Sequence, residues 1–166
     1  TSGRVQLFEL TNKFVLRQYS EHANRINGFC FAQNNRNFVS CANETSVKLW
    51  DIQSTAKEAS LSIPAAHSDT VKKVAYLDEE LVMSASSDGM VKIWDLRNTD
   101  AAVAQLKLAN PVEDFCFAGS QRQMVVAHGS ALSMVSLDAT AVTLAEESTF
   151  FPFQKPVNRV RYERER

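Results

Sequence analysis

The chain has 166 residues, of which 45% are hydrophobic and 22% are charged, and its formal net charge is −1. This composition is typical of a soluble globular protein and excludes a disordered tail. The near-zero net charge provides no general attraction to nucleic acid or to an anionic membrane. No apolar run approaches the roughly 18 to 20 residues that span a bilayer, so we expect no membrane contact.

The cysteines and the N-terminal residues indicate an intracellular protein. Cys30, Cys41 and Cys116 are odd in number, lie in apolar stretches and lack the Cys/Cys or Cys/His spacing of a zinc site. We interpret them as small buried side chains in a reducing compartment, and we expect no metal and no cofactor. The polar start of the sequence lacks the charged and apolar regions of a signal peptide.

Short apolar strands recur along the chain in two series that share a period of roughly 40 to 45 residues. The first series begins at Val5, Val47, Val91 and Leu132. The second series, a β-branched residue followed by an apolar and an aromatic residue, begins at Ile26, Val71, Val112 and Val157. Further β-rich runs such as NFVSCA and LVMSAS lie between them, so each repeat is predicted to hold four strands.

Four antiparallel strands in a repeat of this length indicate a blade of a β-propeller. One blade cannot bury both of its faces and must stack between neighbours. We therefore predict an all-β, partial propeller with about three blades and two blade fragments, either a part of a longer propeller or its ordered portion. The predicted units are the end of a preceding blade at 1–20, blades at 21–63, 64–109 and 110–148, and the start of the next blade at 149–166.

The blade at 64–109, with its segments HSDTV and MSASSDGMVKIWD, resembles the repeats of the WD-repeat propeller family, whose members commonly have seven blades. In that family a His, a Ser or Thr, an Asp and a Trp form a hydrogen-bonded tetrad. The resemblance assigns these roles to His67, Ser84, Asp88 and Trp94. Their chemistry agrees with it, because a buried indole N–H requires an acceptor that a hydroxyl can supply.

The two neighbouring blades depart from this pattern. The preceding blade has His22, Ser40 and Trp50 at the same spacings but Glu44 at the Asp position, so we expect a strained or water-bridged network. The following blade is predicted to have lost the tetrad, with apolar residues or glycine at positions 125, 129 and 135. His128 in this blade is interpreted as a turn residue rather than a general base.

The aromatic side chains at the tryptophan position of three successive repeats are expected to be buried anchors; they are Phe8, Trp50 and Trp94. A hydrolase triad made of Ser84 with the tetrad His and Asp is the alternative interpretation. It is disfavoured because a nucleophile requires an exposed turn and an oxyanion pocket, whereas Ser84 lies in the middle of an apolar strand.

Two surfaces are candidates for contact with partners. Loops before the first strands and the turns beside the tetrad acids are expected to converge on one protein-binding face, with the residues Arg25, Asn43, Thr70 and Ser87. The candidate RNA contacts are cations at or near the first strands, namely Arg25, Lys72, Lys73, Arg159 and Arg161. Because the net charge is −1, we expect any RNA binding to be weak and without sequence preference.

A narrower resemblance is carried by TSGRVQLF, LWDIQSTAKEASL and WDLRN…LKLANPVEDF followed by a degenerate blade. These segments are similar to WD-repeat subunits of the UtpA (t-UTP) subcomplex of the small-subunit processome. The resemblance implies a nucleolar scaffold without catalysis or small-molecule substrate, associated with sibling WD-repeat and helical-repeat proteins close to pre-ribosomal RNA. Spliceosomal or SMN-associated WD-repeat scaffolds share the pattern, so both interpretations stay open.

Overall fold

The described residues of the protein form four antiparallel sheets. A computed structural model describes residues 3–118, 122–138, 142–151 and 153–161. Within these ranges there are fourteen strands and no helix. Consequently, the described part of the chain contains no helix long and apolar enough to cross a membrane. The predicted all-β architecture is confirmed.

Three of the sheets are four-stranded blades whose strands follow one another in chain order. The first sheet is a two-stranded pair of β1 (Gly3–Glu9) and β2 (Phe14–His22). The first blade comprises β3 (Ile26–Phe31), β4 (Asn37–Ala42), β5 (Val47–Asp51) and β6 (Leu61–Ile63). The second blade comprises β7 (Val71–Tyr76), β8 (Leu81–Ser86), β9 (Met90–Asp95) and β10 (Ala104–Lys107). The third blade comprises β11 (Val112–Phe117), β12 (Gln123–His128), β13 (Ala131–Asp138) and β14 (Thr143–Phe150).

The hydrophobic core lies between successive sheets, because alternating side chains of a strand reach opposite faces. The interface of the first and second blades buries a cluster that includes Val39, Cys41, Val71, Val82 and Trp94. The interface of the second and third blades buries Met83, Ile93, Phe115, Met124 and Val135, among others. Each blade is therefore stabilised mainly by its neighbours, as the sequence pattern predicts.

The prediction that Phe8 is a buried anchor is wrong. Its side chain is 51% exposed, whereas Trp50 at the equivalent position is 1% exposed. Val5 and Leu7 on β1 pack toward the aromatic cluster of the first blade, and alternation along the strand directs Phe8 to the other face. Trp50 is buried because Tyr19 of the preceding sheet covers it, with ring centroids 5.3 Å apart. No described sheet covers Phe8 in the same way.

The fourth copy of the first-strand pattern forms no strand over its described residues, 157–161; Tyr162, its last residue, lies outside them. This segment instead contacts the third blade through single hydrogen bonds. The Val157 N–H donates to the Gly129 carbonyl at 2.8 Å, and the Val160 N–H donates to the Asp114 carboxylate at 2.8 Å. A strand requires a partner strand for its backbone groups, and no described strand pairs with this segment.

Strand pairing shows which residue of the third blade replaces the tetrad serine. Ser84 pairs with Val74 in the second blade, and Val126 pairs with the equivalent residue Phe115 in the third. The serine position therefore belongs to Val126, one residue after the predicted Val125. Counting back from the tryptophan position fails here because the intervening turn has a different length.

The turn between the second and third strands is one residue shorter in the third blade. Ala85 pairs with Val91 across this turn in the second blade, whereas Ala127 pairs with Leu132 in the third. The turn carries the tetrad acid in the other two blades. The shortening therefore changes the position from which an acidic side chain would have to reach the blade interface.

The two neighbouring valines of β12 should respond differently to the same substitution. Val126 is fully buried, whereas Val125 is partly exposed. We expect Val126→Ser to lower the free energy of unfolding by about 2 to 3 kcal/mol, because it removes buried methyl groups and buries a hydroxyl. Val125→Ser should cost less than about 1 kcal/mol. Urea denaturation measures both, and equal losses would contradict the strand register.

Candidate functional site

The four predicted tetrad residues of the second blade lie in one hydrogen-bonded chain. The Trp94 indole N–H donates to Ser84 Oγ at 2.9 Å, and His67 Nε2 lies 2.7 Å from the same oxygen. Since Ser84 accepts from the indole, its own proton is directed to His67 Nε2. His67 then carries its proton on Nδ1 and donates it to the Asp88 carboxylate at 3.0 Å. The fully buried Ser84 hydroxyl therefore connects the indole ring of Trp94 to the imidazole ring of His67 by two hydrogen bonds.

Asp88 connects this buried chain to the surface. Its carboxylate accepts the backbone N–H groups of Ser68 and Met90, at 3.0 and 2.8 Å. The same side chain therefore fixes the loop before β7 and the turn after β8. Gly89 in that turn has a backbone φ angle of +79°, a left-handed conformation that glycine adopts without a steric penalty.

The first blade has the same network with a longer acid. Trp50 donates to Ser40 Oγ at 2.8 Å, and His22 contacts Ser40 Oγ and Glu44 Oε1, both at 2.6 Å. The His–Glu hydrogen bond is direct, so the expected bridging water is not needed between His22 and Glu44. Glu44 also accepts the Ala23 N–H at 2.8 Å, which is equivalent to the contact between Asp88 and Ser68.

Apolar side chains replace the tetrad in the third blade. Leu108 precedes β11 by four residues, as His67 precedes β7, and it is 2% exposed. Val126 and Val135, at the serine and tryptophan positions, are completely buried. Without an indole N–H at this interface, the hydroxyl and the imidazole are no longer required. The three apolar residues therefore fit together in an interface that contains no buried indole N–H.

The third blade contains a different buried polar cluster that the sequence interpretation missed. His128 is the last residue of β12 and is 1% exposed, so it is not a surface turn residue. Its Nε2 lies 2.7 Å from Ser133 Oγ, which contacts Glu146 and Thr149 of β14. His128 Nδ1 has no hydrogen-bond partner among the residues that the structure describes. The cluster spans three strands and follows no fixed sequence offset; a histidine at the end of an apolar strand was its only signal.

The four proposed protein-binding residues form one continuous surface, which we call the tetrad-loop surface (Arg25, Asn43, Thr70 and Ser87). The Asn43 N–H donates to the Arg25 carbonyl at 2.8 Å, and the Ser87 N–H donates to the Thr70 carbonyl at 3.0 Å. The Thr70 hydroxyl lies 3.5 Å from the Asn43 carbonyl and thereby links the two blades. Arg25 and Asn43 are exposed, and the other two are partly exposed.

Two of the proposed RNA contacts are engaged in ion pairs between blades. Lys72 lies 3.0 Å from Glu113, and Lys73 lies 2.6 Å from Asp114. Lys73 also donates to the Phe115 carbonyl at 2.5 Å, and its ammonium lies 5.2 Å from the centroid of the Phe115 ring. These lysines therefore hold the first strands of the second and third blades together.

The remaining proposed RNA contacts, Arg25, Arg159 and Arg161, border the same cavity as the two lysines. All three are exposed. None of them forms an ion pair with a residue in the described ranges. The structure thus brings the five proposed cations together. The two lysines form ion pairs between blades, whereas the three arginines are exposed.

Comparison with known proteins identifies the family. Residues 13–51 and 59–95 match the family model described as WD domain, G-beta repeat. The WD repeat-containing protein 55 homolog of Drosophila willistoni is 26% identical over 158 residues, covering 94% of this chain and 30% of that protein. The U3 small nucleolar RNA-associated protein 15 homolog of Xenopus laevis is 31% identical over 127 residues, covering 75% of this chain and 24% of that protein. The chain belongs to the WD-repeat family.

The solved structures agree with this assignment at the level of the fold. The crystal structure of the C-terminal WD40 domain of Sif2 has a TM-score of 0.77 and 16% sequence identity, covering 93% of this chain and 44% of that one. The matched WD repeats end with the Trp–Asp pairs of β5 and β9. The chain spans less than a third of the length of either curated relative.

Truncation of a tetrad tryptophan should have a much larger effect than truncation of Phe8. We expect Trp94→Ala to lower the free energy of unfolding by about 3 to 5 kcal/mol, because it creates a cavity and leaves the Ser84 and His67 network without its donor. The matched control, Phe8→Ala, should lower it by only about 1 kcal/mol, since Phe8 is half exposed. Urea denaturation followed by circular dichroism measures both. A stable, cooperatively folded Trp94→Ala variant would rule out the network as a structural anchor.

Stability should fall as the pH drops below about 6.5. Burial lowers the pKa values of His22, His67 and His128 from 6.5, outweighing the attraction of neighbouring carboxylates. The unfolded chain then takes up protons that the folded chain does not bind, so the free energy of unfolding decreases by up to about 1.4 kcal/mol per pH unit for each histidine. Denaturation midpoints at about pH 7.5 and about pH 5.5 test this. Equal midpoints would contradict it.

Proposed function

We propose that this chain is a non-catalytic scaffold that binds protein partners through its tetrad-loop surface. WD-repeat domains typically mediate protein–protein interaction. The observation that carries the proposal is the continuous set of hydrogen bonds that joins Arg25, Asn43, Thr70 and Ser87. A backbone that is already ordered by these hydrogen bonds loses little conformational freedom when a partner binds, which favours affinity.

The tetrads connect the turns of this surface to the cores of the first two blades. Glu44 directly follows Asn43, and Asp88 directly follows Ser87. Each acid is hydrogen-bonded to a buried histidine, so the adjacent turn residue is fixed to the core of its blade. The Ser–His–Asp cluster thus favours scaffolding over hydrolysis, because Ser84 is inaccessible to a substrate.

The biological process that we propose is ribosome biogenesis. It is supported by the similarity to the U3 small nucleolar RNA-associated protein 15 homolog, at 31% identity. We propose that the protein acts in the nucleolus as a subunit of the small-subunit processome, in pre-18S rRNA processing and rRNA transcription. Its partners would be sibling WD-repeat and helical-repeat proteins. The described blades would belong to a larger, seven-bladed propeller, with the pair β1–β2 contributing to the preceding blade and residues 153–161 to the following one. The predicted boundary at 148/149 is two residues early, because Thr149 and Phe150 belong to β14 of the third blade.

Two other functions remain candidates. A scaffold of another RNA–protein or signalling complex is favoured by the similarity to differently named WD-repeat proteins. Direct RNA binding is favoured by the exposed arginines Arg25, Arg159 and Arg161. The ion pairs of Lys72 and Lys73 reduce the charge that is free for phosphate, so RNA affinity should be low.

Removal of the tetrad-loop side chains should abolish partner capture without unfolding the protein. We expect simultaneous alanine substitution of Arg25, Asn43, Thr70 and Ser87 to reduce capture of processome proteins by at least about tenfold in quantitative affinity purification. The matched control carries alanine at exposed residues of the opposite end: Gln33, Arg36, Gln53 and Glu79. Unchanged capture by the first variant, or equal loss with the control, would refute the proposed surface.

A further inference from the structure

The first strands of the blades line an open cavity of about 460 Å³, which we call the basic cavity. Its lining includes residues of β3, β7 and β11 and of the segment 158–161. Five cations and two carboxylates border it, which leaves a net of three positive charges. The whole chain has a net charge of −1, so this concentration of positive charge is local. The volume lies within the range of sites that bind small ligands or short segments, about 300 to 1,000 Å³.

The excess charge resides on the arginines. The two lysines of the basic cavity pair with Glu113 and Asp114, as described above. Arg25, Arg159 and Arg161 remain exposed, without an ion pair to any residue the structure describes. A guanidinium group presents a planar fork of donors that matches a carboxylate in a bidentate geometry. Three such groups around one cavity therefore favour a ligand with several carboxylates.

Asp114 shows how a carboxylate is held in this cavity. One oxygen accepts from Lys73 Nζ at 2.6 Å and from the Phe115 N–H at 2.9 Å. The other oxygen accepts the Val160 N–H at 2.8 Å. The cavity thus already joins an acidic side chain to a lysine and to the backbone of an extended segment. The guanidinium groups of Arg25, Arg159 and Arg161 would supply further N–H donors to the carboxylates of an acidic segment of another protein.

We infer that the basic cavity binds a carboxylate-rich segment of the protein partner that docks on the tetrad-loop surface. The inference rests on the proposed function and specifies the partner's chemistry. Arg25 belongs to both the surface and the cavity, so the two sites are continuous. RNA fits less well, because stacked bases require several aromatic platforms and Phe29 is the single aromatic residue in the described lining.

Binding of a defined acidic probe tests the inference. The probe is a fluorescein-labelled peptide of alternating glutamate and glycine, compared by anisotropy with the same peptide carrying glutamine and with oligouridylate of equal length. We expect the 166-residue chain to bind the glutamate peptide and to bind the other two more weakly. The double variant Arg159→Gln, Arg161→Gln should bind the glutamate peptide with a dissociation constant about fivefold higher than that of the wild type. Arg36→Gln, at the opposite end of the first blade, should leave binding unchanged.

The outcomes separate this inference from the proposed function. The double variant keeps all four residues of the tetrad-loop surface, so its capture of partners can be measured independently. Equal binding of the glutamate and glutamine peptides, equal binding by the double variant and the wild type, or tighter binding of oligouridylate would each overturn the inference. Loss of capture in the four-alanine variant, together with any of these results, would leave the proposed function supported. Retained capture in that variant would refute the function itself.

Discussion

The hydrogen bond from a buried indole N–H to a buried serine is the interaction on which the local order of the first two blades depends. A tryptophan supplies a large apolar surface to the blade interface, but its N–H must be satisfied there. Ser40 and Ser84 meet that requirement and donate their own hydrogen bonds to histidines, which in turn donate to a turn acid. The core of each blade is thereby connected to the loops at its surface.

A second set of contacts joins the blades to one another near their first strands. The Asn27 amide donates to the Val71 carbonyl at 2.8 Å, between the first and second blades. Lys73 performs the equivalent function between the second and third blades through Asp114. Burial of one blade against the next is non-directional, whereas these polar contacts require a particular alignment. Together they fix how the exposed loops of successive blades are placed side by side.

The sequence predicts these features where they depend on local spacing and fails where they depend on neighbouring strands. Ser84 lies on β8 and Trp94 on β9, two adjacent strands joined by one short turn, so a fixed offset finds them. The same offset misplaces the equivalent of Ser84 in the third blade, because the turn there is shorter. Exposure of Phe8 depends on which sheet covers it, and the cluster of His128 depends on pairing of β13 with β14. Neither property can be read from a pattern within one strand.

The shorter turn of the third blade has an evolutionary consequence. Conversion of this blade to the tetrad arrangement would require an insertion in the turn in addition to new side chains at the leucine and valine positions. Any one of the side-chain changes alone would place an unsatisfied polar group in an apolar interface and would destabilise the protein. Reversion by successive point substitutions would therefore pass through unfavourable intermediates. The absence of the tetrad is therefore difficult to reverse one substitution at a time, which keeps this blade distinct from its two neighbours.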